Sequence, residues 1–244
     1  MKRIAAPRDE TNMTAALQTL AATREALHRL AEHVVSPSRY AQTGRIGLRP
    51  HPGGLRTPAF GPDDTVVSVE LDELVVRDAT GVRRQPVTTL RAAGAFAGVE
   101  PGAPAQVYTP ATPCDLDAPL PLDREAMAVI ADWYLLGAEA LQRLSKRAAD
   151  EDPSEAQLWP EHLDLAISAG QVNYGFSPGD AANPEPYTYV GPHAGRPRVD
   201  RFWNTEFGAT CTRSQVRNVS DALEFFNIAR ADLRSVLISK GASS

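Results

Sequence analysis

Hydrophobic and polar positions divide the 244-residue chain into helical and extended stretches. From Met13 to Val35, Ala16, Leu20, Leu27, Leu30 and Val34 recur at helical spacing, with Thr23 continuing the stripe, which predicts an amphipathic helix. It is expected to end before Pro37, because the residue preceding a proline is disfavoured in the helical region. His28 and His33 lie on its polar side and read as surface residues. Residues 1–12 are polar and read as a disordered tail.

The period then changes. Between residues 43 and 98, Ile46 and Leu48 alternate with Arg45, Gly47 and Arg49, and turn signals fall at Pro52-Gly53-Gly54 and Gly61-Pro62-Asp63. The run TVVSVELDELVVRDATGVRRQPV predicts two or three short strands with turns near Leu71–Glu73 and Ala79–Gly81. Thr88 or Thr89 can cap a short helix that Gly98 ends. Six prolines and no clear period make residues 99–121 a long loop. Residues 123–149 predict a second helix with Leu122, Ala126, Val129, Trp133, Leu136, Ala140 and Leu144 inward, and Asp132 on its solvated face. Residues 158–215 carry aromatic-rich strand signals (HLDLAIS, QVNYGFS, EPYTYVG, DRFWNTEF), and a last helix spans 220–240. This segregation predicts an α+β fold, with antiparallel sheet in two blocks packed against N-terminal, central and C-terminal helices in one domain over 13–244.

Composition narrows the function classes. The formal charge of −5, from 25 Lys+Arg against 30 Asp+Glu, leaves no basic footprint for nucleic acid. No apolar run reaches the ~18 residues of a membrane span, and the N-terminal one is too short for a signal peptide. Two cysteines without CxxC spacing suit a reducing compartment, so a cytoplasmic location is expected.

The chemistry-bearing residues gather between Trp159 and Gly208. A hairpin turning at Ala169-Gly170 pairs Ile167 with Val172, Leu165 with Tyr174 and Leu163 with Phe176, all on the core face. The opposite face then carries His162, Asp164, Ala166, Asn173, Gly175 and Ser177, with Gly175 leaving space beside Asp164. A one-residue slip would exchange the faces. Such a patch is either the solvated side of a hairpin or a site whose acid–base groups are His162 and Asp164. Trp159, Tyr187, Tyr189 and Trp203 supply the aromatic walls usual in small-molecule pockets.

Flanking loops add polar candidates. Ser177-Pro178-Gly179-Asp180 suits a type II turn, in which Asp180 either caps or binds. His193, Arg196 and Arg198 could hold a carboxylate or phosphate in forked geometry, or pair with surplus acids. Imidazole and carboxylate suit Zn²⁺ or Fe²⁺, so a metal shared by His51, His162, Asp164 and His193 is chemically permissible, but no HxxxH or HExxH spacing supports one. No GxSxG, GxxxxGK[ST] or GxGxxG signature is present. Cys114, beside Asp115, makes a poor nucleophile.

The runs LWPEHLDLAI (158–167), NYGFSPGD (173–180), PEPYTYVGPH (184–193) and FWNTEFGA (202–209), with GRIGLRPHPGGLRTPAF upstream, resemble a recurrent pattern in an uncharacterised actinobacterial protein family. The resemblance carries no reaction. It groups His162, Asp164, Ser177 and Asp180 in one block.

The leading expectation is a small-molecule-binding protein. Its pocket, with aromatic and arginine anchors, would lie between the sheet of residues 162–190 and the Trp133 or C-terminal helix. One alternative is a hydrolase or lyase in which Asp164 orients His162 as general base. Another is an interaction protein self-associating through helix 13–35 and the proline-rich loops.

Overall fold

Two five-stranded antiparallel sheets, each a simple meander, form the frame of the chain. The computed structural model describes residues 8–241, and the side chains of residues 13–235. In the first sheet β1 (Arg49–His51), β2 (Gly54–Arg56), β3 (Val66–Glu70), β4 (Glu73–Asp78) and β5 (Gly81–Pro86) lie in chain order. In the second, β6 (Gln157–Trp159), β7 (Asp164–Ala169), β8 (Val172–Ser177), β9 (Tyr187–Pro192) and β10 (Ala209–Thr212) do the same. Among the described residues a single antiparallel bridge joins them, with the Leu48 amide on the Leu158 carbonyl at 2.8 Å and the reverse bond at 3.0 Å. The α+β class and the two antiparallel blocks agree with the hydrophobic pattern.

The first helix extends beyond its expected limits at both ends. α1 (Arg8–Leu30) begins inside the segment expected to be a tail, of which residues 1–7 lie outside the described residues. It passes through a π turn, Ala31–Val35, into α2 (Ser36–Thr43), which contains Pro37 and ends at Gly44 with φ 66°. The proline is tolerated because the ladder is already re-phased ahead of it. The Ser36 amide reaches Ala31 O, five residues back, and the missing Pro37 donor falls at the start of a new hydrogen-bond register.

The π turn also corrects the reading of one polar residue and buries its neighbour with it. His33, expected on the surface, is 1% exposed, and Glu32 is wholly buried. Both clamp the proline-rich loop. Glu32 accepts from the Ala111 and Thr112 amides and the Thr112 hydroxyl, at 2.9, 2.8 and 2.6 Å. His33 Nδ1 accepts from the Ala103 amide at 3.1 Å, so Nε2 carries the proton and donates to Thr112 O at 3.0 Å. Arg29 adds bonds to the Pro113 and Asp115 carbonyls. His28 is partly buried as well. The apolar stripe of α1, including Leu27, Leu30 and Val34, is buried within the chain.

α3 (Leu90–Ala97) is capped by the Thr89 side chain and ended by Gly98, as expected. α4 (Arg124–Arg147), capped by Asp123, is buried on more than one side because it contacts α1, α5 (Val219–Gly241) and both sheets. Met127, Ile130, Tyr134 and Leu141 are therefore fully buried, while Val129 and Leu136 from the expected stripe are only partly so. The Trp133 ring meets Phe176 edge-on at 5.0 Å, and Phe226 of α5 meets Tyr174 at 5.4 Å. Gly137 makes this approach feasible, since a Cβ there would lie 2.7 Å from the Phe176 ring.

The β7–β8 hairpin turns one residue later than expected, at Gly170-Gln171. Both residues have positive φ, 57° and 64°, as a type I′ turn requires. Ile167 pairs with Tyr174, Leu165 with Phe176, and Ala166 with Gly175. The pairing has moved by two residues, so each side chain keeps its expected face. Leu163, Leu165 and Ile167 point into the core and are at most 2% exposed.

Candidate functional site

The outer face of the second sheet is concave. A cleft of about 270 Å³ is lined by Ser154, Trp159, Glu161, His162, Asp164, Ala166, Ile167, Ser168, Asn173 and Tyr189. Toward the Trp133 and C-terminal helices the sheet is packed with aromatic rings, and beside them a second cleft of about 430 Å³ lies between Val172 and Tyr174 of the sheet and Arg230, Leu233 and Arg234 of the C-terminal helix.

A kink at the head of β7 shapes the cleft. Leu163 has φ 50°, a left-handed conformation unusual for a bulky residue. Two contacts hold it there. Its side chain is buried, and its carbonyl accepts from the buried Tyr134 hydroxyl at 2.6 Å. Across the kink His162 is exposed and Asp164 is 8% exposed. Asp164 sits opposite Trp159 on β6.

The Asp164 carboxyl is held on one side only. The Tyr189 hydroxyl donates to Oδ2, whereas the buried Oδ1 has no hydrogen-bond partner. Burial pushes the Asp164 carboxyl above the ordinary carboxylate range, opposed by the Tyr189 bond and the nearby His162. The Tyr189 phenol is driven up by its own burial and then by Asp164. Glu161 repeats the pattern: its Oε2 is buried without a partner, and burial raises its carboxyl, with Asp164 and Glu32 adding to the effect.

Gly175 permits this geometry. It pairs with both Ala166 and Tyr189, and a Cβ on it would lie 2.4 Å from Tyr189 Cζ. The space expected beside the carboxylate is filled by the Tyr189 ring, which brings its hydroxyl onto Asp164. At the rim, the Ser168 hydroxyl donates to Asn173 Oδ1 at 2.5 Å, and His193 Nε2 lies 3.0 Å from the same oxygen.

Behind Glu161 the polar system continues to α1. Arg24, His28 and Glu32 recur every four residues along its face. His28 Nε2 lies 3.9 Å from Glu32 Oε2, and burial lowers the His28 imidazole below its ordinary value. The Tyr108 hydroxyl, from the proline-rich loop, is buried without a partner, and burial, then Glu32 and Glu161, raise its pKa. Sequence reasoning passed over Glu161, Ser154, Ser168, His28, Glu32 and Tyr108. The four-residue spacing of charged groups on α1 was the one available signal, and it resembled a solvated face.

Among the expected site residues, Trp159, His162, Asp164, Asn173 and Tyr189 come together in the cleft, and His193 stands at its rim. Tyr187 shares the sheet face, 6.4 Å from the Tyr189 ring, and donates to Asp180 Oδ2 at 2.7 Å. Asp180 Oδ1 accepts from the Ala182 and Asn183 amides, the capping role open to an aspartate in a turn. Ser177 is buried, its hydroxyl bonded to Gly179 N. The Arg and Trp candidates of the 193–208 loop are engaged elsewhere. Arg196 donates to Thr205 O, Arg198 pairs with Asp200 and Asp232, and the fully buried Trp203 indole donates to Asp232.

Asp164 is bonded to Tyr189, and among the described residues no hydrogen bond joins it to His162. His51 lies on the first sheet, 3.7 Å from Glu70. No group of three or more His, Cys, Asp or Glu among the described residues stands close enough to hold a metal ion. Both thiols are free, and burial raises both the Cys114 and Cys211 pKa values. No described helix is long and apolar enough to cross a membrane. No protein-family model, curated protein or solved structure matches the chain.

Proposed function

We propose that this chain is a small-molecule-binding protein whose ligand occupies the outer cleft of the second sheet, anchored on Asp164. One observation carries the reading: Asp164 is almost wholly buried, lines the cleft and keeps an oxygen without a donor. A buried polar atom without a partner costs roughly 1–3 kcal/mol, and a bound donor removes that cost. Trp159 offers apolar surface beside it, while Asn173 and Ser168 can fix orientation. The free thiols of Cys114 and Cys211 suit a cytoplasmic setting.

The cleft is testable sterically. A screen of small polar compounds by thermal shift is expected to find ligands that stabilise the wild-type chain. Ala166→Leu, which fills the cleft floor, should abolish those shifts while the protein stays folded. Equal shifts in both proteins would remove the cleft from the function.

A second reading, a hydrolase or lyase, draws on the raised carboxyls of Asp164 and Glu161 next to the exposed His162. Proton-transfer groups are commonly tuned this way. Here Asp164 is the proton-transfer group, because its bond goes to Tyr189. Turnover of a cleft ligand that is lost in Asp164→Asn but retained in His162→Gln would select this version.

A further inference from the structure

The cleft is acidic at close range, although the arginines of the 193–208 loop suggested an anion site. Its lining includes two carboxyl side chains, Glu161 and Asp164, and no lysine or arginine. The arginine of α1 that approaches this sheet face, Arg24, donates to the Pro184 carbonyl, and Arg196 and Arg198 are bonded within their own loop and to Asp232. Each cleft carboxyl has one buried oxygen without a donor. Two aromatic side chains, Trp159 and Tyr189, share the lining.

We infer that the ligand is an organic cation, a small amine held between the Asp164 and Glu161 carboxyl groups and the Trp159 and Tyr189 rings. The inference rests on the cleft being the ligand site. A hydroxyl ligand can also donate to an orphaned oxygen, but it brings no charge to offset a second acid nearby. Two carboxyls sharing a poorly solvated site disfavour each other's ionised form, and one ammonium group relieves both. Charge-assisted N–H···O⁻ bonds are roughly twice as strong as neutral ones. Aromatic faces attract cations and add nothing comparable for an alcohol. A carboxylate or phosphate ligand would meet two like-charged carboxyls, with His162 the one basic side chain in the lining.

The test compares molecules of equal length and different charge: 1,4-diaminobutane against 1,4-butanediol, and 1-aminobutane against 1-butanol, by calorimetric titration into the full chain. The amines are expected to bind and the alcohols to bind at least about tenfold more weakly, the scale of one charge-assisted bond. Glu161→Gln and Asp164→Asn, checked for folding by circular dichroism, should each weaken amine binding about tenfold or more, whereas Glu139→Gln on the exposed face of α4 should leave it unchanged. Two variants guard against misfolding of either one. Amine and alcohol binding of equal strength would overturn the cationic ligand and leave the cleft reading standing. Amine binding that survives both cleft substitutions, or that falls equally in Glu139→Gln, would show attraction to general negative charge and overturn the inference. If Ala166→Leu also abolishes no compound's binding, the cleft reading falls with it.

Discussion

The Tyr189 hydroxyl donates to Asp164 across Gly175, tying β9 to the head of β7 over the one residue of the intervening strand that lacks a side chain. Removing the donor leaves a buried carboxyl with no partner on either oxygen. Tyr189→Phe should cost about 1–3 kcal/mol in urea unfolding. The loss has a predictable pH dependence. Asp164 is raised in the fold, so its favourable contribution holds at low pH and disappears as pH rises through the folded value. The variant raises that value further, so its deficit should be larger at pH 8 than at pH 5. A deficit independent of pH would separate Tyr189 from the Asp164 titration.

Glycine at 175 is a steric requirement of the same contact. With a Cβ 2.4 Å from Tyr189 Cζ, Gly175→Ala must swing the ring off Asp164. Its destabilisation should resemble that of Tyr189→Phe, and the two should be strongly non-additive in a double-mutant cycle. Simple addition of their effects would mean that the alanine acts on something else.

His33 sets a limit on acid stability. It is buried as the neutral Nε2–H form with both ring nitrogens engaged, and burial lowers its pKa below the ordinary 6.5. In acid the unfolded chain takes up a proton that the folded chain refuses, so stability falls as pH drops below that ordinary value. His28 is lowered as well and adds to the slope. His33→Gln should lower stability at pH 8 and flatten its decline between pH 7 and pH 5. An unchanged slope would show that His33 does not titrate with unfolding.

Glu32 holds the loop rather than the whole fold. Glu32→Gln replaces a three-bond acceptor with a group that turns an N–H₂ toward backbone donors, costing about 1–3 kcal/mol. Hydrogen exchange at the Ala111 and Thr112 amides should accelerate while the β7 and β8 amides stay protected. Equal acceleration throughout would make Glu32 part of the global core.

The meanders were legible in the chain because alternation survives a small pairing error. The β7–β8 turn was placed one residue early, and the register moved by two, which preserves the faces. Asp164 was therefore assigned to the correct side while its cross-strand partner was not, since Gln171 gives no warning that it adopts a φ of 64°. The deeper part of the site was not legible. Glu32 and His33 are polar residues on a helix that looks amphipathic, and they become buried only because a π turn rotates them beneath a distant loop. Hydrophobic periodicity has no term for a loop that packs on a polar stripe. Arg198 was hard to place for a related reason: one of its two carboxylate partners, Asp232, lies on α5, remote in sequence.

The bridge between Leu48 and Leu158 has a consequence for the order of assembly. Each meander is built from neighbouring strands and can zip locally, whereas the bridge closes a loop spanning the middle of the chain and carries an entropic cost that grows with its length. The cleft lies in the second meander, yet its polar backing comes from α1, near the other end of the polypeptide. Its completion therefore depends on contacts distant in sequence rather than on the second meander alone. During synthesis α1 must wait for β9 to emerge before Asp164, Tyr189 and the α1 charges occupy one site.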